Sequence, residues 1–276
     1  MINNIWAIFR KEFLGYFTSP TAYIIVAVFW LIAGFFFNSL LYGIILAIAN
    51  QERSGLPVSR DVVYEFLTTF IGSLLPSLLL VLLPALSMGL YTDEKKQGTL
   101  ELLATSPLTN WSVALGKLLG TIALFTVMIV PFWIYEIVIF SAASPPVNLQ
   151  GILLSHLGLL LLASSIFSIG MFISAITGNN IISYIVTFIV VLVAWLLDVI
   201  AGNVESFFRD RIGGDLGERI GFFCKEILSH LSWFESFNNF VLGIFDSSSL
   251  VLFLSYIFLG IFLTSQAIEA SRFQRN

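Results

Sequence analysis

The stretch VYEFLTTFIGSLLPSLLLVLLPALSMGLY, Val63 to Tyr91, carries one charged side chain, Glu65, in a run long enough to cross a bilayer. A helix needs about 20 mostly apolar residues to span about 30 Å of hydrocarbon. Five further runs satisfy that length: Tyr23–Ala49, Leu115–Phe140, Ile152–Ile176, Ile181–Ala201 and Leu250–Ile268. They are continuous, whereas a β-barrel strand alternates over about ten residues. The expected class is an all-α integral membrane protein with six transmembrane helices. The first run is too long for a cleaved leader and lacks a small-residue cleavage site, so it stays as a span.

Composition agrees. The 276 residues are 58% hydrophobic and only 11% charged, with 27 phenylalanines and a mean hydropathy of +0.95. Soluble domains carry about 25% charged residues. A net charge of -4 gives no basic footprint for nucleic acid. One cysteine, Cys224, excludes an internal disulfide and a cysteine-based zinc cluster. The two histidines, His156 and His230, are far apart in sequence and leave little for a metal site.

Six spans put both termini on one side. Arg10, Lys11, Lys95, Lys96, Lys117, Arg272 and Arg275 would share that side, against Arg53, Arg60, Arg209, Arg211, Arg219 and Lys225. The counts nearly tie, but Lys95, Lys96 and Lys117 sit close to span ends, where the positive-inside bias acts. That bias places both termini in the cytoplasm.

Before the first span, Ile2, Ile5, Trp6, Phe9, Phe13, Tyr16 and Phe17 recur at steps of three and four, with Arg10 and Lys11 off that arc. Residues 1–20 therefore read as an amphipathic helix lying in the headgroup region, or packed on a partner protein. Ser19-Pro20 ends it. The connection 92–114 holds the one strongly patterned polar segment, Asp93-Glu94-Lys95-Lys96-Gln97-Gly98-Thr99-Leu100-Glu101-Leu102-Leu103. Gly98 can stop the incoming helix and Thr99 can cap a new short one. Ser106-Pro107 would stop that helix, and Thr109 or Asn110 would cap the third span. A short helix with exposed leucines suits docking into a partner's groove; a plain capped connector fits the same pattern.

That segment, with the later Gly116-Lys117, resembles the cytoplasmic loop of type-2 ATP-binding-cassette (ABC) permeases. Lys11-Glu12-Phe13, Phe17-Thr18-Ser19-Pro20 and Phe234-Glu235-Ser236-Phe237 resemble the subgroup that includes bacterial gliding-motility permeases. The resemblance implies a coupling helix over Gly98 to Ser106 and an elbow helix over Ile2 to Phe17. Its coupling residues would be Glu94, Gly98, Thr99, Leu100, Glu101, Leu102, Leu103, Ser106 and Pro107. Its elbow contacts would be Trp6, Phe9, Arg10, Lys11, Phe13 and Phe17. It further implies an exporter of the bacterial inner membrane, a second permease chain, and a separate ABC nucleotide-binding ATPase subunit. The chain has no Gly-x-x-x-x-Gly-Lys-Ser/Thr phosphate loop. It is expected to bind no cofactor, with ATP and Mg held by the partner.

The ionisable candidates within or beside the spans, Glu65, Glu136, His156 and Asp198, fall near the outer span ends and form a candidate outer polar ring. Residues that simply reach interfacial water are the alternative. Midplane carboxylates of the kind ion-driven carriers use do not occur, which favours an external energy source. Residues 202–246 are expected to form short outer-side helices. The whole chain, 1–276, reads as a single transmembrane domain. Two rival functions remain at this level: an ATP-driven component of an assembly or motility machine, and a membrane-embedded enzyme working through Glu136, Asp198 and His156.

Overall fold

The computed structural model describes residues 2–55, 62–99, 108–141, 149–212 and 214–273, and the regular structure among them is helical. Helix α1 is Ile2–Tyr16 and α2 is Pro20–Arg53. Helix α3 spans Val62–Lys96, α4 Asn110–Ser141 and α5 Leu149–Ile176. Helix α6 is Asn180–Ile212, α7 Gly214–Leu231, α8 Trp233–Val241 and α9 Ser247–Phe273. Helices α2 to α6 and α9 provide six segments long and apolar enough to cross a membrane. The chain is an all-α, six-span bundle and a multi-pass membrane protein.

Successive spans alternate in direction, so α1, the start of α4 and the end of α9 gather at one end, the near end. There Trp111 packs against Phe258 and Phe262, with ring centroids 5.6 and 6.3 Å away. Helices α5 and α9 run parallel and in close contact. The hydroxyls of Ser165 and Ser168 on α5 donate across the seam to the carbonyls of Phe253 and Tyr256. In hydrocarbon such serines satisfy themselves against backbone while keeping the helices close.

The corner between α1 and α2 follows the sequence expectation. Ser19 is extended, Pro20 opens α2, and the Tyr23 hydroxyl donates to the Phe17 carbonyl at 2.7 Å. Proline suits the first helical turn because its missing N–H would lack a partner there anyway. Thr109 caps α4, its hydroxyl accepting from the Ser112 N–H.

Helix α3 is irregular in two places. Leu67–Leu74 is π-helical, and Pro76 just beyond it offers no N–H to the wider turn. At Met88 the helix breaks where Ser174 of α5 enters its ladder. The Ser174 hydroxyl donates to the Met88 carbonyl and accepts from the N–H groups of Tyr91 and Thr92. A side chain inserted into the ladder is a recognised cause of a kink.

Several small residues admit neighbouring helices within the chain. Gly116 and Gly120 receive α1, Gly158 receives Phe240, and Gly170 receives Ser87 and Thr187. A Cβ placed on Gly178 would meet open space.

Residues 202–246 differ from the short helices expected there. Helix α6 continues to Ile212, about 50 Å in all at 1.5 Å per residue, and α7 packs back along it. On α7 the apolar residues Ile220, Phe223 and Ile227 are exposed. Gly221 is buried and Cys224 and Leu228 are half-buried, which marks the other face as the packed one. A glycine allows closer helix packing than an arc of bulky side chains does. Helix α8 is largely buried, with Phe237 and Phe240 against Gly158 and Val241 against Gly72.

Asp246 caps α9 by accepting from the N–H and hydroxyl groups of Ser248 and Ser249. Those hydrogen bonds hold its carboxyl down at about 2, from an ordinary 3.8. A depressed folded-state value contributes stability above the unfolded value, and that contribution disappears as pH falls through about 2. Asp246→Ala should therefore destabilise the chain by about 1 kcal/mol at neutral pH. Unfolding in detergent at pH 7 should show that loss, and Asp246→Asn should recover most of it.

Candidate functional site

At the near end, α1 lies across the opening turns of α4. Ile8 is buried there, although it lies off the aromatic arc that the sequence emphasised. A Cβ placed on Gly116 would sit 2.7 Å from the Ile8 side chain and 3.1 Å from the Ile5 carbonyl oxygen. One placed on Gly120 would sit 2.9 Å from the Glu12 Cβ and 3.4 Å from the Phe13 nitrogen. Both glycines are needed for this approach, because any side chain would push α1 away. Trp6, Phe9, Phe13 and Phe17 form a continuous ring stack along α1, with centroids 5.0, 5.8 and 5.1 Å apart. Trp6 and Phe17 are exposed, as is Arg10.

Between these glycines Lys117 points into the seam. Its side chain is only 2% exposed, and its Nζ lies 2.9 Å from Glu12 Oε1 of α1 and 3.0 Å from Glu94 Oε1 of α3. It also stands over the Tyr91 ring, 5.0 Å from the centroid, an arrangement that favours a cation. Lys11 reaches the same Glu94 oxygen at 3.3 Å from a mostly exposed position. A buried charge is tolerable only when paired and hydrogen-bonded, and here one ammonium serves two helices. One turn further along, the Tyr16 hydroxyl meets the Thr121 hydroxyl at 2.9 Å. Burial holds the Tyr16 hydroxyl well above the ordinary phenol range, so it stays protonated.

Glu94 also ends α3. Gly98 adopts φ +69, with its N–H bonded to the Lys95 carbonyl and the Thr99 N–H to the Glu94 carbonyl. This is the paired closure a left-handed glycine makes at a helix C-terminus. The Thr99 hydroxyl also donates to the Glu94 carbonyl, so Thr99 takes part in closing the incoming helix; the residues it was expected to cap lie outside the described ones. Glu94 itself turns inward to Lys117. Lys95 is likewise committed, donating to the carbonyls of Ala175 and Thr177 on and beyond α5. Leu100, Glu101, Leu102, Leu103, Ser106 and Pro107 lie outside the described residues.

On its other side α1 stands off from α2 and α3. A cleft of about 370 Å³ separates them, lined by Lys11, Gly15, Ile25, Leu86, Asp93 and Asn180 among others. The firm seat of α1 is thus α4.

At the far end the structure brings two of the four polar-ring candidates together. Glu136 Oε2 of α4 is 3.3 Å from His156 Nε2 of α5, and both residues are buried. His156 Nδ1 lies 2.9 Å from the Ile152 carbonyl oxygen, and Trp133 packs edge-on against the imidazole. Glu65 is half-buried on the first turns of α3. The side chain of Asp198 lies outside the described residues.

The sequence did not join these residues into a site: Glu12 entered only within Lys11-Glu12-Phe13, Tyr16 only on the apolar arc, Lys117 as a span-end charge and within Gly116-Lys117, and Tyr91 and Thr121 had no role. The available signal was Gly116 and Gly120 on either side of a lysine. Two small residues that admit a helix, with a cation between them, require a carboxylate on whatever packs there.

Six spans, with a helix seated across their near end, define a multi-pass helical membrane protein. Residues 6–274 match the ABC-2 family transporter protein family, and the chain belongs to that family. No curated protein matches the chain. Members of the family are non-catalytic transport subunits, so the chain is a permease and not a membrane-embedded enzyme. Among the described residues, no group of three or more His, Cys, Asp or Glu side chains could hold a metal ion.

Proposed function

We infer that the chain is the membrane-spanning half of an ATP-driven exporter, paired with a second permease chain and with separate nucleotide-binding subunits. The near end faces the cytoplasm, with α1 as the elbow helix in the headgroup layer. Residues 98–107 form the coupling segment that docks on the ATPase partner. The observation that carries this reading is the fixing of both flanks of that segment. Glu94 and Gly98 end α3 in a rigid closure, Thr109 caps α4, and Lys117 joins the two sides. A connector that only had to cross between spans would not need its ends held this way. Family membership supports the ATP-driven assignment, and Arg10, Lys11, Lys95 and Lys96 at the near end support its cytoplasmic placement. The outward apolar residues of α6, Val186, Ile189, Val190 and Val193, fit lipid and a second permease chain.

The test concerns Glu101 and Leu102. Glu101→Lys would oppose a basic group on the ATPase, and Leu102→Asp would place charge at an apolar contact; each should cost several kcal/mol of association. Co-purification of the ATPase subunit and transport-linked ATP hydrolysis should fall at least tenfold, with unchanged membrane levels of the permease. Full coupled activity in both variants would reduce the segment to a plain connector.

A further inference from the structure

We propose that the cleft between α1 and the α2–α3 surface is a lipid site, which binds a phospholipid whose headgroup carries a primary ammonium beside its phosphate. The inference rests on the placement of α1 in the headgroup layer given above, and adds what that helix holds there.

Volume and lining set the kind of occupant. The cleft holds about 370 Å³, within the roughly 300–1,000 Å³ of small-ligand pockets. That suits a headgroup with its glycerol, and not two acyl chains. The buried part of the lining is apolar: Ala22 of α2 with Leu86 and Leu90 of α3. The exposed part is Lys11, Gly15, Thr21 and Asp93. An amphiphile matches a wall that is polar where it is open and apolar where it is closed.

The charges around the cleft do not balance. Lys11 and Lys117 are matched by Glu12 and Glu94, which leaves Asp93. Among the described residues no cation lies within ion-pair distance of its carboxylate. Asp93 Oδ1 accepts from Asn180 Nδ2 at 2.7 Å. A Cβ on Gly89 would lie 2.5 Å from Asp93 Oδ2, so the missing side chain is what lets the carboxylate lie against α3. Asn180 Oδ1 has no hydrogen-bond partner among the described residues. The wall made by α3 and the first residue of α6 therefore has acceptors to satisfy. A primary ammonium brings three N–H donors, as a lysine does; a quaternary ammonium brings none.

The α1 wall supplies the complement. Lys11 gives one N–H to Glu94, and its side chain is 66% exposed, so its remaining donors can hold a phosphate. The Ser19 and Thr21 hydroxyls bond to each other at 2.8 Å, which leaves one hydroxyl proton for the same anion. Between them lies Gly15. Glycine inside a helix costs about 0.5–1 kcal/mol relative to alanine, and no helix packs on this one, since a Cβ there would meet open space. Bare backbone at that point keeps the wall clear for a ligand.

The test titrates the full chain in detergent with phosphatidylethanolamine, phosphatidylcholine, phosphatidylglycerol and soluble glycerophosphoethanolamine, counting bound molecules by native mass spectrometry. One phosphatidylethanolamine should bind roughly tenfold more tightly than either other lipid, the worth of a charged hydrogen bond, and the soluble headgroup should bind weakly. Asp93→Asn keeps the shape and removes the charge, so that preference should disappear. Gly15→Leu grows into the cleft, and should abolish the selective site while leaving unfolding in lipid-free detergent unchanged. Should that variant fold poorly, Asp93→Asn still decides. Equal binding of the three lipids, tighter binding of phosphatidylglycerol, or a preference that survives Asp93→Asn would overturn the proposal and leave α1 in the headgroup layer. Soluble glycerophosphoethanolamine bound as tightly as the lipid would remove that placement, and the proposal with it. None of these outcomes bears on docking of the ATPase, which co-purification of that subunit reads separately.

Discussion

Replacing Lys117 by methionine should destabilise the chain by about 3–5 kcal/mol, the usual consequence of removing one partner from a buried ion pair. Methionine fills nearly the same volume, so the effect isolates the charge. Without the ammonium, Glu12 and Glu94 face each other across an apolar seam, and neither can stay ionised without cost. Glu94 Oε2 has no hydrogen bond among the described residues even in the native arrangement, which leaves little reserve. Lys11 cannot take over, because its ammonium approaches from solvent and its side chain is 66% exposed. Lys11→Met should accordingly cost less than about 1 kcal/mol, as exposed pairs do. The contrast between two lysines on the same glutamate makes the prediction sharp. Unfolding in mixed detergent should rank the variants as wild type, Lys11→Met, then Lys117→Met well below both. The double variant Glu12→Gln, Lys117→Met should recover part of the loss, since one of the opposed carboxylates is gone. Equal, small effects of the two lysine variants would mean that water reaches Lys117 and that the seam is open.

The spans were legible in the sequence because lipid imposes a simple rule. A stretch such as Val63–Tyr91 is explained only by burial in hydrocarbon, whatever its neighbours are. The stop at Gly98 was legible for a similar reason, since a left-handed residue at a helix end is a local requirement. Pairwise geometry was not legible. On α1 the bulky arc of Trp6, Phe9, Phe13 and Phe17 dominates the periodicity, while the contact with α4 runs through Ile5, Ile8 and Glu12. A helix with an aromatic stack on one side and a smaller packing face on another shows only the larger signal. Lys117 was obscured by its position, since a lysine near a span end ordinarily reaches toward the headgroups. On α7 the same effect recurs, with Phe223 exposed and Gly221 buried. Glu136 and His156 were both singled out from the sequence, but their contact joins two helices, and no spacing along the chain encodes that.

Replacing His156 by leucine should cost about 1–3 kcal/mol, because it strands a buried carboxyl group. The geometry defines what the pair shares. The Ile152 carbonyl only accepts, so His156 Nδ1 carries hydrogen, and Nε2 is the atom turned to Glu136 at 3.3 Å. An attractive contact then requires one proton between Nε2 and Oε2, as a carboxylic acid facing imidazole or a carboxylate facing imidazolium. Either form is neutral overall, which is what a site between two membrane-spanning helices demands. Glu136 has no well-directed hydrogen bond among the described residues, so the pair is at ion-pair distance without the full stabilisation of a bonded one. Joint replacement by apolar residues should therefore be close to neutral, as it often is for imperfect buried pairs. The expected order in detergent unfolding is His156→Leu well below wild type, and Glu136→Leu with His156→Leu near it. That non-additivity is the signature of a pair whose members answer mainly to each other. If the double variant lost as much as the sum of the single ones, the two residues would act separately. Glu136 would then owe its burial to a partner other than His156.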